Sequence, residues 1–436
     1  MTIPPICWIN AAHRNGVSCF GTFIVEDWSS IKEEDEDKFF SGRDILLKIL
    51  ENDDSIKCFT DSLVEIAEYF NFDGWLVNIE VNVPHEKVPL LLEFVKTLTN
   101  KMHKMLSKNE NILCKPVAVI WYDSVTLSGE IQYQNALTAK NFEFFNSCDG
   151  IFLNYCWEPK HLKRSVQILK EDSEKRFRIY AGIDVHGRNT FAGGRWNCNL
   201  ALSMIQRQGV STALFAPGWT FENFCDNSNF CFEKLENEFW SKLYPYLLSS
   251  ERKLNKLPIE TTFCQGVGSS GKFVSGTNST ETEEYFSWFN LSEMQLQPSF
   301  SFYTMPSLKK SFQGGTCLEL DPNLASYFTI FQTEIILIPY QQYELVIAYH
   351  YNETIMKYLQ INDCFLNNSK QIKILKNDFN IENDWKKERI IFKIDNENDF
   401  FLKRISFEWP FLPYDQHLNS VCYLGLFSLK ECHDIL

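Results

Sequence analysis

An amide and a carboxyl stand two residues apart in the run Phe72-Asp73-Gly74-Trp75-Leu76-Val77-Asn78-Ile79-Glu80. In a β-strand successive side chains alternate between faces, so Leu76, Asn78 and Glu80 share one face and Trp75, Val77 and Ile79 the other. The apolar set suits packing beneath helices. The polar set makes a poor core, because each group must find partners or bear the cost of desolvation. An amide and a carboxyl at the C-terminal end of such a strand stand where barrel enzymes build their sites. A purely structural pair stays open on these residues alone.

Other polar and aromatic side chains fall at the ends of similar runs. Tyr122 and Asp123 close KPVAVIWYD, Trp157 closes GIFLNYCW, Asp184 closes YAGID, and Trp219 follows the APG turn. Trp157 and Trp219 offer flat faces on which a sugar could stack. Asp184 could bind sugar hydroxyls or serve as a helix N-cap or loop anchor. Trp121 and Phe145 read as core, and His13 stands in a loop, AAHRNG. No His/Cys/Asp cluster has metal-ligand spacing and no glycine-rich phosphate cradle is present, so no metal and no cofactor is expected.

The elements that must position these residues alternate. Apolar runs at 17–25, 72–80, 115–123, 150–157, 178–185, 211–219 and 261–268 are separated by stretches of helical spacing, such as Leu91, Leu92, Val95 and Leu98. Nearly continuous apolar strands between amphipathic helices indicate a parallel sheet covered on its outer face. Repetition over about 250 residues indicates an α/β fold, a (β/α)8 TIM-type barrel, whose active ends are the C-terminal ends of the strands. Seven strands are found rather than eight, and the first strand is expected to be missing because the chain opens directly on TIPPICWIN. The acidic run Glu33–Asp37 reads as a solvated loop. From about residue 300 short strands follow one another at 327–338, 343–351, 389–394, 400–409 and 421–429, the pattern of an antiparallel β-sandwich. The expected division is a barrel over 1–270, a linker over 271–300 and a sandwich, a possible carbohydrate-binding module, over 301–436.

Composition narrows the partners. A net charge of -14 argues against nucleic acid and anionic membranes, both of which reward clustered Lys and Arg. None of the 14 cysteines forms a C-x-x-C pair and several lie inside apolar runs, which fits a reducing compartment. No apolar leader and no run long enough to span a membrane is visible, so the cytosol is expected and the sequons at Asn278, Asn290, Asn352 and Asn367 read as chance matches.

The run FDGWLVNIE resembles the signature strand of glycoside hydrolase family 85. The resemblance continues in order through TIPPICWINAAHRNGVSCFGTFIVE, WYDSVTLSGEIQYQNAL, SCDGIFLNYCW, YAGIDVHGR and ALFAPGW. It implies an endo-β-N-acetylglucosaminidase that cuts the β-1,4 bond between the two core GlcNAc residues of N-glycans or free oligosaccharides and leaves one GlcNAc behind. It further implies retention without a protein nucleophile, the substrate's own 2-acetamido oxygen attacking the anomeric carbon. Glu80 would then be the general acid/base, Asn78 would orient the acetamido group, and Tyr122 would hold its carbonyl. Tyr133 stands where family members often have Trp, and would belong to the substrate wall with Trp157, Trp219 and Asp184.

Two other readings are compatible with the sequence. An incomplete barrel could leave a carbohydrate-binding protein without activity. A chitinase-like enzyme would need Asp two residues before the acid, where Asn78 stands, and a two-carboxylate retaining enzyme a second carboxyl about 5 Å from Glu80, with Asp123 and Asp184 as candidates.

Overall fold

A computed structural model describes residues 1–26, 41–107, 117–169, 173–224, 232–247, 253–269, 287–298, 304–366, 369–409 and 421–432. The acidic run Glu33–Asp37 and most of the Gly/Ser/Thr-rich stretch after residue 270 lie outside them. The chain forms two compact units. The first comprises Met1–Pro5 and Ser18–Leu248, the second Ile6–Val17 and Ser249–Leu436.

The first unit is built on six strands: β1 (Phe20–Glu26), β2 (Gly74–Glu80), β3 (Val119–Tyr122), β4 (Gly150–Leu153), β5 (Ile179–Asp184) and β6 (Ser211–Phe215). They form one parallel sheet in sequence order. Trp75, Val77 and Ile79 of β2 are wholly buried, as the alternation requires. The indole Nε1 of Trp75 donates to the carbonyl of Leu63, 3.2 Å away in the helix Asp53–Phe70. That helix starts on an Asn52 cap, whose side chain accepts from the Ser55 N–H, and stops at Asn71 in the left-handed conformation. Its neighbour, Val88–Leu106, buries Leu91, Phe94, Val95 and Leu98, each contributing roughly 1.5–3 kcal/mol. Glycine is required at Gly74, where a Cβ would lie 2.3 Å from the Ala118 carbonyl oxygen.

The run at 261–268 does not supply the expected seventh parallel strand. Ile259–Thr261 pairs antiparallel with Phe427–Leu429 in the second unit, and Val267–Ser269 pairs with Ser287–Phe289. The physical reason is available partners: the antiparallel sheet offers a continuous hydrogen-bonding edge and a core, in which Ile259 and Phe263 are buried. The N-terminal run is likewise not a strand. Ile6–Arg14 is a helix of the second unit, and Thr2 forms only an isolated bridge with Thr22.

Besides the Val267–Ser269 pair, the described residues of the second unit form two larger sheets, antiparallel except for a short parallel edge pair. In one, Cys422–Glu431 lies between Cys317–Leu320 and Gln342–His350, and Trp385–Ile394 and Ile372–Glu382 follow. The other centres on Tyr327–Leu337 paired with Phe400–Glu408. They share one core, seen where Phe331 of the second sheet meets Phe427 of the first with ring centres 5.5 Å apart. The helix Ile6–Arg14 is tied into this unit by Arg14, whose Nη1 donates to the Met294 carbonyl at 2.6 Å.

Candidate active site

The strand ends of β2, β3 and β4 bring four polar side chains together. In β2 the alternation places Asn78 and Glu80 on the face opposite the buried apolar set, and the two are joined directly: Asn78 Nδ2 donates to Glu80 Oε1 at 2.8 Å. The other carboxyl oxygen, Oε2, accepts from the Tyr133 hydroxyl, also at 2.8 Å. Asn78 is buried, and its Oδ1 has no hydrogen-bond partner among the described residues. A buried acceptor without a donor is costly unless something supplies one.

Tyr122, at the end of β3, is buried beside them, its ring 6.3 Å from that of Tyr133. Its hydroxyl donates to Asn154 Oδ1 at 3.0 Å. Burial, together with the neighbouring Tyr155 and the Glu80 carboxyl, pushes the Tyr122 hydroxyl far above the ordinary tyrosine range, so it remains a donor at any working pH. Burial and the bond to Glu80 raise Tyr133 likewise.

Tyr133 reaches Glu80 because its loop is firmly held. Ile131 N–H donates to Asn82 Oδ1 at 2.9 Å and Val83 N–H to the Gly129 carbonyl at 2.8 Å, fixing the loop against the chain that leaves β2. The Asp123 carboxylate takes the Asn135 N–H at 2.7 Å and Asn141 Nδ2 at 2.9 Å. Burial pushes the Asp123 carboxyl up to about 6 despite those donors.

The remaining expected residues lie elsewhere. Trp157 is 1 % exposed, donates its Nε1 to the Gly182 carbonyl at 2.6 Å and stacks on Phe191. Trp219 is 3 % exposed and packs edge-on against Trp196 and Phe224. Both rings, expected as open sugar platforms, are packed into the interior, because strand ends that carry large rings also offer the apolar surface to bury them. Tyr133, by contrast, is 41 % exposed. Asp184, at the end of β5, anchors its own loop, accepting from Arg188 Nε at 2.7 Å and from the His186 N–H at 3.1 Å. Burial alone would raise this carboxyl, but those donors and the Arg188 charge outweigh it and hold Asp184 below the usual carboxylate range. His13 belongs to the Ile6–Arg14 helix of the second unit. Trp121 and Phe145 are core, Trp121 stacking on Phe144.

Asn154 was not singled out from the sequence. A signal existed: it lies two residues beyond Phe152, an amide at the end of an apolar run, as Asn78 does in β2.

Residues 1–271 match the sequence model of glycosyl hydrolase family 85. The chain belongs to glycosyl hydrolase family 85. It is 35% identical over 325 residues to the cytosolic endo-beta-N-acetylglucosaminidase of Gallus gallus, an alignment covering 73% of this chain and 40% of that one. It is 36% identical over 302 residues to cytosolic endo-beta-N-acetylglucosaminidase 1 of Arabidopsis thaliana, with 69% and 40% covered. It is 36% identical over 305 residues to the cytosolic endo-beta-N-acetylglucosaminidase of Homo sapiens, with 69% and 36% covered. The chain thus spans about two fifths of the length of these relatives. Its fold is similar to that of the glycoside hydrolase domain of Endo-D from Streptococcus pneumoniae, with a TM-score of 0.59 and 14% identity over 98% of this chain and 68% of that one.

Proposed function

We propose that this family 85 chain is an endo-β-N-acetylglucosaminidase of the cytosol, cutting the GlcNAc-β-1,4-GlcNAc core of N-glycans or free oligosaccharides by substrate-assisted, retaining catalysis. The observation that carries this reading is the Asn78–Glu80 pair: a carboxyl bonded at 2.8 Å to an amide whose own Oδ1 is buried without a donor. A 2-acetamido group offers the missing donor in its N–H. Accepting that N–H would turn the acetamido oxygen toward the anomeric carbon, and such positioning replaces a bimolecular encounter. The names of the relatives support both the bond and the compartment.

In the first step Glu80 gives its proton to the glycosidic oxygen while the acetamido oxygen bonds to the anomeric carbon. The leaving sugar departs with that proton, and an oxazoline-type ring remains. In the second step water attacks the same carbon from the vacated face, Glu80 takes its proton, and the ring opens with configuration retained. Tyr122 has a single O–H, which donates to Asn154. To hold the acetamido carbonyl it turns that proton to the substrate, leaving Asn154 to a substrate hydroxyl or water. Tyr133, half-exposed beside Glu80, forms the wall on the leaving-group side.

Incubating a high-mannose glycopeptide with the chain and with Glu80→Gln, followed by mass spectrometry, tests the proposal. The expected result is peptide bearing one GlcNAc, with release at least about 10²-fold slower in the variant. A folded wild-type chain that binds the glycan and cuts nothing would instead favour the carbohydrate-binding reading.

A further inference from the structure

Asp123 sits immediately after Tyr122, is 1 % exposed, and uses its carboxylate to gather donors from two different loops. From the loop between β3 and the helix Phe142–Ser147 come the Asn135 N–H at 2.7 Å and Asn141 Nδ2 at 2.9 Å. The backbone N–H groups of Gln134 and of Asn154, beyond β4, face it as well. Its own N–H donates to the Phe152 carbonyl at 2.9 Å. Asn135 closes the arrangement: its φ of +53° is left-handed, and its side-chain Oδ1 accepts the Cys156 N–H at 2.9 Å. These contacts bear on two side chains of the candidate site. Tyr133 precedes Gln134 and donates to Glu80; Asn154 receives the Tyr122 hydroxyl.

We infer that Asp123 is a positioning residue, whose buried carboxylate locks the 124–141 loop to the end of β4 and so sets the Tyr133–Glu80 and Tyr122–Asn154 contacts together. This rests on the proposed function for its catalytic consequence but not for the lock itself. A buried carboxylate that takes two N–H groups from the 124–141 loop, with its own N–H on the Phe152 carbonyl of β4, is a joint that no apolar residue could replace, since both donors would be stranded. The joint touches neither Glu80 nor Asn78. Its loss displaces the hydroxyls and leaves the acid/base in place. The titratable groups that face the site around Asp123 are Tyr122, Tyr133 and, beyond them, Glu80.

Two variants separate positioning from folding. Asp123→Asn keeps the shape but replaces an acceptor by an NH2 group aimed at donors. Asn135→Gly keeps the left-handed backbone, and the N–H on Asp123, and removes the side-chain links to the Cys156 N–H and the Tyr133 carbonyl. Hydrogen exchange followed by mass spectrometry on the full chain is expected to show faster exchange at Gln134, Asn135 and Asn154 in Asp123→Asn, with the helices Asp53–Phe70 and Val88–Leu106 unchanged. With glycopeptide substrate, kcat falls about 10²-fold in Asp123→Asn and about tenfold in Asn135→Gly, while KM stays within about threefold. Unchanged exchange at those three amides, or exchange that rises across the whole first unit in both variants, overturns the lock. Local exchange with unaltered kcat overturns its role in positioning. If the wild-type chain cuts no glycopeptide, the functional reading fails and the exchange result still decides the lock.

Discussion

Glu80 has both oxygens engaged by neutral donors, and the two donors differ in freedom. Asn78 is buried on a strand and has one arrangement available, whereas Tyr133 is exposed enough for its hydroxyl to turn aside when the leaving oxygen arrives. The two substitutions therefore differ in expected size. Asn78→Ala removes the group proposed to meet the acetamido N–H and is expected to lower kcat about 10²- to 10³-fold. Tyr133→Phe leaves the Asn78–Glu80 bond intact and is expected to cost about tenfold. Steady-state rates on one glycopeptide measure both, and the reverse order would contradict the assignment of Asn78. Trp157 offers a different outcome. With its indole bonded to Gly182 and its face on Phe191, Trp157→Ala is expected to cost about 3–5 kcal/mol in urea unfolding, a core penalty rather than a loss of sugar affinity alone.

At the scale of the element, the site is legible where two periods coincide. The β2 alternation that buries Trp75, Val77 and Ile79 leaves Asn78 and Glu80 on the other face, and those facts could be read from residue types alone. Tyr122 was legible for the same reason. For Asp123 the residue string offers only a second catalytic carboxyl, because nothing in it reveals that Asn135 and Asn141 return to it. The burial of Trp157 and Trp219 was not legible, because a ring at a strand end stacks as readily on a protein ring as on a sugar, and sequence does not show which is nearer. Asp184 illustrates a loop anchor with a measurable consequence. Its carboxyl is held below the usual range by Arg188, so the pair lends stability above the ordinary Asp range and loses it as pH falls through the lowered value. Arg188→Met is therefore expected to lower the melting temperature at pH 7 and to match wild type near pH 2; scanning calorimetry at both values checks the sign. An equal deficit at both would mean that the Arg188 stem, not its charge, matters.

Over the whole molecule, the alternation of strands and helices in the first 220 residues and the change to antiparallel strands after 300 were both visible. What could not be read was ownership. The run at 261–268 is as apolar as any strand of the parallel sheet, and only its antiparallel register with 427–429 assigns it to the other unit. The strand Ile372–Glu382 is hidden in the sequence for the opposite reason: as an edge strand it is largely exposed, so its polar residues break the apolar pattern. Among the described residues, the helix Ile6–Arg14 and the Asn15 that follows it have the most distant hydrogen-bond partners. Arg14 and Asn15 bond to residues about 280 positions later, which a chain made at ~5–20 residues per second reaches only ~15–60 s after the helix leaves the ribosome. This early segment is thus among the last to find its place, and until Met294 and Gln297 emerge, Ile9 and Ala11, which the folded unit buries, must be kept from other apolar surfaces.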